Sequence, residues 1–243
     1  MRRAATRNRW TPVVLLLLAA AGWAWSIASA DMGSMEGMGG PALLAGYLLA
    51  WVAMMAAMMF PGILPVVRLY SLAAERGSVA PLPWFISGYL AVWSAAGLPS
   101  YIAWRKLQAP LAAADPWVAR LAGMVLIAAA VYQLTPLKAA CLRHCRSPLT
   151  FFFHHGRSLR TPVGAAHAGL AHGAYCLGCC WLLMAILVVF GTMHLGWMAA
   201  LAALILLEKA APRGEAIGRV AAAALAALGV ILILHPRFLS LLT

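Results

Sequence analysis

Long apolar stretches, each bounded by Arg, Lys, Pro or Gly, constrain this chain more than any other feature. Residues 11–30, 43–61, 84–104, 117–134, 163–190 and 216–234 hold at most one charged side chain each, and a shorter apolar run ends at Leu207-Glu208-Lys209. A helix needs about 20 such residues to cross a hydrocarbon core, and inside lipid a helix satisfies its own backbone donors and acceptors. The chain is 64% hydrophobic and 10% charged, which leaves too little polar surface to face water all round. The expected fold is all-α, a polytopic membrane helix bundle of about seven spans, or about six if the N-terminal segment is removed.

Three regions follow. Residues 1–30 read as an N-terminal signal-anchor or signal peptide: Arg2, Arg3, Arg7 and Arg9 precede the first apolar run, and Ala28-Ser29-Ala30 has the small-x-small form of a cleavage site. The run is long for a signal peptide's apolar core, which favours a retained helix. Residues 31–41 form an outer Met/Gly-rich loop, and residues 42–243 a single membrane bundle domain. The formal charge is +12, yet fourteen of the eighteen Lys and Arg fall on one side of this topology. That asymmetry is an orientation signal placing the N-terminus on the cytoplasmic side, and it excludes a nucleic-acid footprint.

Chemistry concentrates in His172-Gly-Ala-Tyr-Cys176-Leu-Gly-Cys179-Cys180. On a helix His172, Cys176, Cys179 and Cys180 fit within an arc of about 100° and project toward one neighbour. Sulfur and imidazole donors suit Cu(I) or Zn(II) better than Mg(II) or Ca(II). The chain's five cysteines are clustered, not spaced as a disulfide framework, which points to thiols kept for metal or redox work. A second cluster, Cys141, His144 and Cys145, shares a similar arc. Lys138, Arg143 and Arg146 beside it would favour thiolate.

Methionine adds two weaker signals. Met54, Met55 and Met58, with Trp51 and Met59, form a stripe on the second span that reads as packing or as thioether ligation. Met32, Met35 and Met38 recur at three-residue spacing in the Gly-rich loop, either as soft ligands in an oxidising compartment or as a plain linker. The His154-His155 pair beside arginines reads as interfacial, and His167 points away from the cysteine face. Pro61 and Pro65 are expected to end or kink the second helix. Glu208 is either a solvated end-of-helix charge or a bundle-facing carboxylate.

Tyr175-Cys-Leu-Gly-Cys-Cys-Trp181 after His172-Gly173, Leu134-Thr-Pro-Leu-Lys138 followed by Cys141-Leu-Arg-His-Cys145-Arg-Ser-Pro148, Met54-Met-Ala-Ala-Met-Met-Phe-Pro61 and Leu207-Glu-Lys209 recur as a set. Together they resemble a bacterial family of predicted metal-binding integral membrane proteins of unknown function, over about residues 45–210. The resemblance implies a multi-pass protein of the bacterial inner membrane that binds metal, with copper the implied ion. It adds weight to the two Cys/His clusters and, less, to Met54, Met55, Met58 and Glu208. Met193-His194-Leu departs from the Met-Asn-Leu expected there, so His194 is an added ligand or nothing.

The leading expectation is a Cu(I) transporter or membrane copper chaperone using Cys, His and Met ligands, exchanging its ion with a periplasmic metallochaperone or a membrane enzyme. One alternative is a thiol–disulfide relay between the two cysteine groups. Another is a structural or assembly subunit of a larger complex with a buried Zn(II) site; mercury handling by vicinal Cys179-Cys180 ranks below these. No phosphate loop and no paired carboxylates within a span mark a hydrolytic enzyme, and catalytic residues are not expected. In this reading the ion passes from outer methionines, to mid-depth Cys176–Cys180, to Cys141–Cys145 at the inner border.

Overall fold

A computed structural model describes residues 2–30, 40–113, 115–147, 156, 158–191 and 194–241. Met32, Met35, Met38 and the His154-His155 pair lie outside the described residues. The architecture is an all-α bundle: α1 (Arg2–Ala30), α2 (Gly40–Glu75), α3 (Leu82–Ala112), α4 (Pro116–Gln133), α5 (Pro136–Arg146), α6 (Pro162–Phe190), α7 (Leu195–Ala210) and α8 (Gly214–Leu234). Short 3₁₀ turns cover Ser158–Arg160 and Pro236–Leu241, and no strand occurs among the described residues.

Among the described residues, four of these helices, α2, α4, α6 and α8, are long and apolar enough to cross a membrane. The sequence pattern suggested about seven spans, and the shortfall has physical causes. Helix α3 runs for 31 residues but takes in several serines and the Arg105-Lys106 pair, which was expected in a connection. Helix α7 has only 16 residues. Pro61 and Pro65 do not end α2, which continues through both to Glu75.

Glycines set the tightest packing. A Cβ on Gly169 of α6 would lie 2.0 Å from the Phe85 carbonyl oxygen of α3, and one on Gly88 of α3 would lie 2.0 Å from the Ala166 oxygen of α6. These two helices therefore meet backbone to backbone, as small residues permit in apolar bundles. Their contact continues to Tyr89, whose carbonyl is 3.1 Å from the Cβ position of Gly173. A Gly169→Leu variant is expected to force α3 off α6 and to lower thermal stability in detergent by at least about 1–3 kcal/mol, since the obstacle is backbone and cannot rotate aside. Helices α4 and α8 use the same device at Gly123 and Gly229, each facing the other's carbonyl.

The functional interest lies in the break between α4 and α5. Thr135 adopts the extended conformation that a following proline demands, and its hydroxyl caps α5 by accepting from the Lys138 amide at 3.3 Å. Two ties hold the short α5 to α7 and the turn after it. The Lys138 ammonium meets the Glu208 carboxylate at 2.6 Å, and Arg146 donates to the Ala211 carbonyl. Lys138 and Leu142 line a pocket with residues of α7 and α8, and the adjoining edge of the same side of α5 carries Cys141 and Cys145 to α6.

Candidate metal centre

All five thiols meet around the middle of α6. Cys176 lies midway along that 29-residue helix, and Cys176, Cys179 and Cys180 are fully buried. Helical spacing stacks them on one face, as the sequence pattern requires. Cys179 and Cys180 each donate to the Cys176 carbonyl at 3.0 Å. Cys145, buried on α5, lies on the side of that helix facing Cys176 and Cys179. Cys141, one turn earlier, is half-buried against Gly178, where a Cβ would stand 2.8 Å from its sulfur. Tyr132 donates to the Gly178 carbonyl, fixing that stretch of backbone against α4.

The two cysteine groups were expected to converge within the bundle, though with their centres at different depths. They form one cluster instead, because the break after Gln133 lets α5 turn back against the centre of α6 rather than leave the bundle.

A cation completes the cluster. The Lys209 ammonium, at the C-terminal end of α7, is buried 3.1 Å from the Cys176 sulfur and 3.9 Å from the Met59 sulfur. Gly62 makes room for it, since a Cβ there would lie 3.0 Å from Lys209 Cδ. The Tyr89 hydroxyl shares a hydrogen bond with Cys176 at 3.1 Å. The preceding residue, Glu208, points elsewhere: consecutive helical side chains diverge by about 100°. Glu208 is buried and bundle-facing, accepting from Lys138 and from Gln133 Nε2 at 2.8 Å. The expected cationic neighbours of the thiols are thus replaced. Lys138 is committed to Glu208, Arg146 to a carbonyl, and Arg143 is exposed, so the cation facing sulfur is Lys209.

The histidines are placed differently from the thiols. His172 is buried between α6 and α3, its ring 5.9 Å from Phe85 and 6.1 Å from Tyr89. His144 stacks on Tyr175 at 4.3 Å, with Nδ1 at 2.9 Å from its own helix's Ala140 carbonyl. His194 caps α7 by accepting from the Trp197 amide, a local role that accounts for it without a ligand. His167 is exposed. Met54, Met55 and Met58 are buried in the core of the bundle, and the thioether that meets Lys209 is that of Met59. Among the described residues no three or more Cys, His, Asp or Glu side chains stand arranged around a metal-sized space. The sulfurs instead hydrogen-bond to a carbonyl, to Tyr89 and to Lys209, and metal–sulfur bonds would replace those contacts.

Lys209, Met59 and Tyr89 escaped the sequence reading. Lysine at the end of a short apolar helix looks like an interfacial charge, and Tyr89 carries no periodic signal. Met59 belonged to the visible stripe, one position beyond the residues favoured as ligands.

No curated protein and no solved structure matches this chain. A family model described as a copper chaperone, PpoB2, matches residues 48–232, a stretch running from α2 into α8 that contains all five cysteines, Glu208 and Lys209. The resemblance read from the Cys-rich phrases thus acquires its metal: the chain belongs to the PpoB2 copper-chaperone family.

Proposed function

We propose that this protein is a membrane-embedded chaperone that holds Cu(I) on the thiolates of Cys145, Cys176 and Cys179, with Cys180 as an adjacent donor and the thioethers of α2 beside them. One observation carries the reading: thiols from two separate helices, α5 and α6, meet next to a buried ammonium. Thiolate is the soft ligand that retains Cu(I), and any adjacent pair of these sulfurs satisfies a two-coordinate ion. Two thiolates and one Cu(I) carry a net charge of about −1, which the neighbouring Lys209 cancels in a site that excludes water. The bundle sits in a bacterial plasma membrane with its N-terminus in the cytoplasm, as the fourteen-to-four division of Lys and Arg supports. Ligand exchange moves the ion on and off the cluster, and no catalytic residue is assigned.

Anaerobic titration of the purified protein with Cu(I), against a competing chelator, tests this. The native chain is expected to take up Cu(I), and the Cys176→Ser, Cys179→Ser double variant to bind at least about 100-fold more weakly. Losing a group that merely orients a ligand already costs about 10–100-fold. Equal binding by the variant would overturn the proposal. Elemental analysis of protein purified without oxygen is expected to find copper; stoichiometric zinc would favour a structural Zn(II) site instead.

A further inference from the structure

The five thiols are not equivalent. Cys145, Cys176, Cys179 and Cys180 are buried, whereas Cys141 is only partly covered. It sits one helical turn before Cys145 on the same face of α5, against Gly178, the residue before Cys179. Gly178 is what allows this: any side chain there would collide with the Cys141 sulfur. Arg143, about 200° round the helix from Cys141, is exposed on the far side of α5, and a charged guanidinium places this short helix at a polar border of the bundle. Cys141 is itself half-exposed while its sulfur packs on the backbone beside Cys179.

We propose that Cys141 is the exchange donor through which Cu(I) enters and leaves, accepting it from a small soluble anionic thiol carrier and passing it to Cys179 and Cys145. This rests on the copper(I) reading above. In the first step a Cu–S bond to Cys141 forms as one of the carrier's Cu–S bonds breaks, and the Cys141 thiol proton passes to the departing carrier thiolate. In the second, Cys179 displaces the carrier's remaining thiolate from copper, which leaves with the Cys179 proton; in the third, Cys145 bonds to copper, Cys141 is released, and the Cys145 proton returns to Cys141. Copper stays Cu(I) throughout and no electron is transferred. Exposed Arg143 attracts the anionic carrier to α5.

The test separates rate from affinity, with the Cu(I)–glutathione complex as the probe. Cys141→Ser is expected to leave equilibrium Cu(I) affinity within about threefold of native while slowing loading at least about tenfold. Gly178→Ala, which keeps all five thiols but displaces the Cys141 sulfur, is expected to slow loading likewise. Cys145→Ser, by contrast, should lower the affinity itself. Unchanged loading by both Cys141→Ser and Gly178→Ala overturns the proposal, and so does a collapse of affinity in Cys141→Ser, which would make Cys141 a holding ligand. Failure of the native protein to bind Cu(I) at equilibrium overturns the copper(I) reading itself, and is seen before any variant is compared.

Discussion

Lys209→Met is expected to lower Cu(I) affinity by about two orders of magnitude while leaving the copper-free protein folded. The ammonium is buried, its near neighbours are the sulfurs of Cys176 and Met59, and the adjacent carboxylate of Glu208 is occupied by Lys138. Without copper, methionine fills the niche opposite Gly62 at similar length and removes an expensive buried charge, so thermal stability is expected to hold or rise. With copper, the thiolate pair loses its counter-charge. Removing one partner of a buried ion pair costs about 3–5 kcal/mol, and each 1.4 kcal/mol is tenfold in affinity. Lys209→Arg restores the charge but crowds Gly62, and should recover part of the loss. Chelator competition measures all three proteins. Native affinity in Lys209→Met would remove the ammonium from the binding scheme and leave the thiols to act alone.

The second large effect falls on stability. Lys138→Met strands the Glu208 carboxylate, which is buried and keeps only the Gln133 amide as a hydrogen-bond donor. An uncompensated buried charge of this kind costs about 3–5 kcal/mol, and thermal unfolding in detergent should fall accordingly. The double variant Lys138→Met, Glu208→Leu removes both charges and is expected to recover most of that loss, as apolar replacements of buried pairs often do. Copper affinity should not recover with it. The ion pair ties α5 to α7, and α5 carries Cys145 to the cluster, so the double variant separates stability from site assembly. If affinity returned with stability, packing of α5 alone would position Cys145.

The contrast between Lys138 and Lys209 shows where a sequence is readable. Both lysines stand in polar phrases bordering apolar runs, and nothing in spacing tells them apart. One is matched to a carboxylate 70 residues away, and the other to sulfur 33 residues back. Partner choice at such range depends on how helices rotate about their axes as they pack, and periodicity within one segment does not record that. The same limit explains Cys141 and Cys145. Their shared face on α5 was visible, but their meeting with α6 followed from a helix break at Thr135-Pro136 whose direction only packing fixes.

Sequence by itself determined that the chain is helical and apolar, that Cys176, Cys179 and Cys180 share one face, and that this face offers soft sulfur donors. Those conclusions follow from local rules: helical periodicity, hydrophobic content, and the donor atoms of each side chain. Tertiary structure decided that α5 folds back to set Cys141 and Cys145 against α6, that the Met59 sulfur meets Lys209, that the histidines turn toward aromatic rings, and that the ammonium beside Cys176 is that of Lys209. The reason is steric: backbone contact at Gly88, Gly169 and Gly173 sets how α3 meets α6, and Gly62 admits Lys209 against α2, so the rotation of each helix decides which side chains face inward.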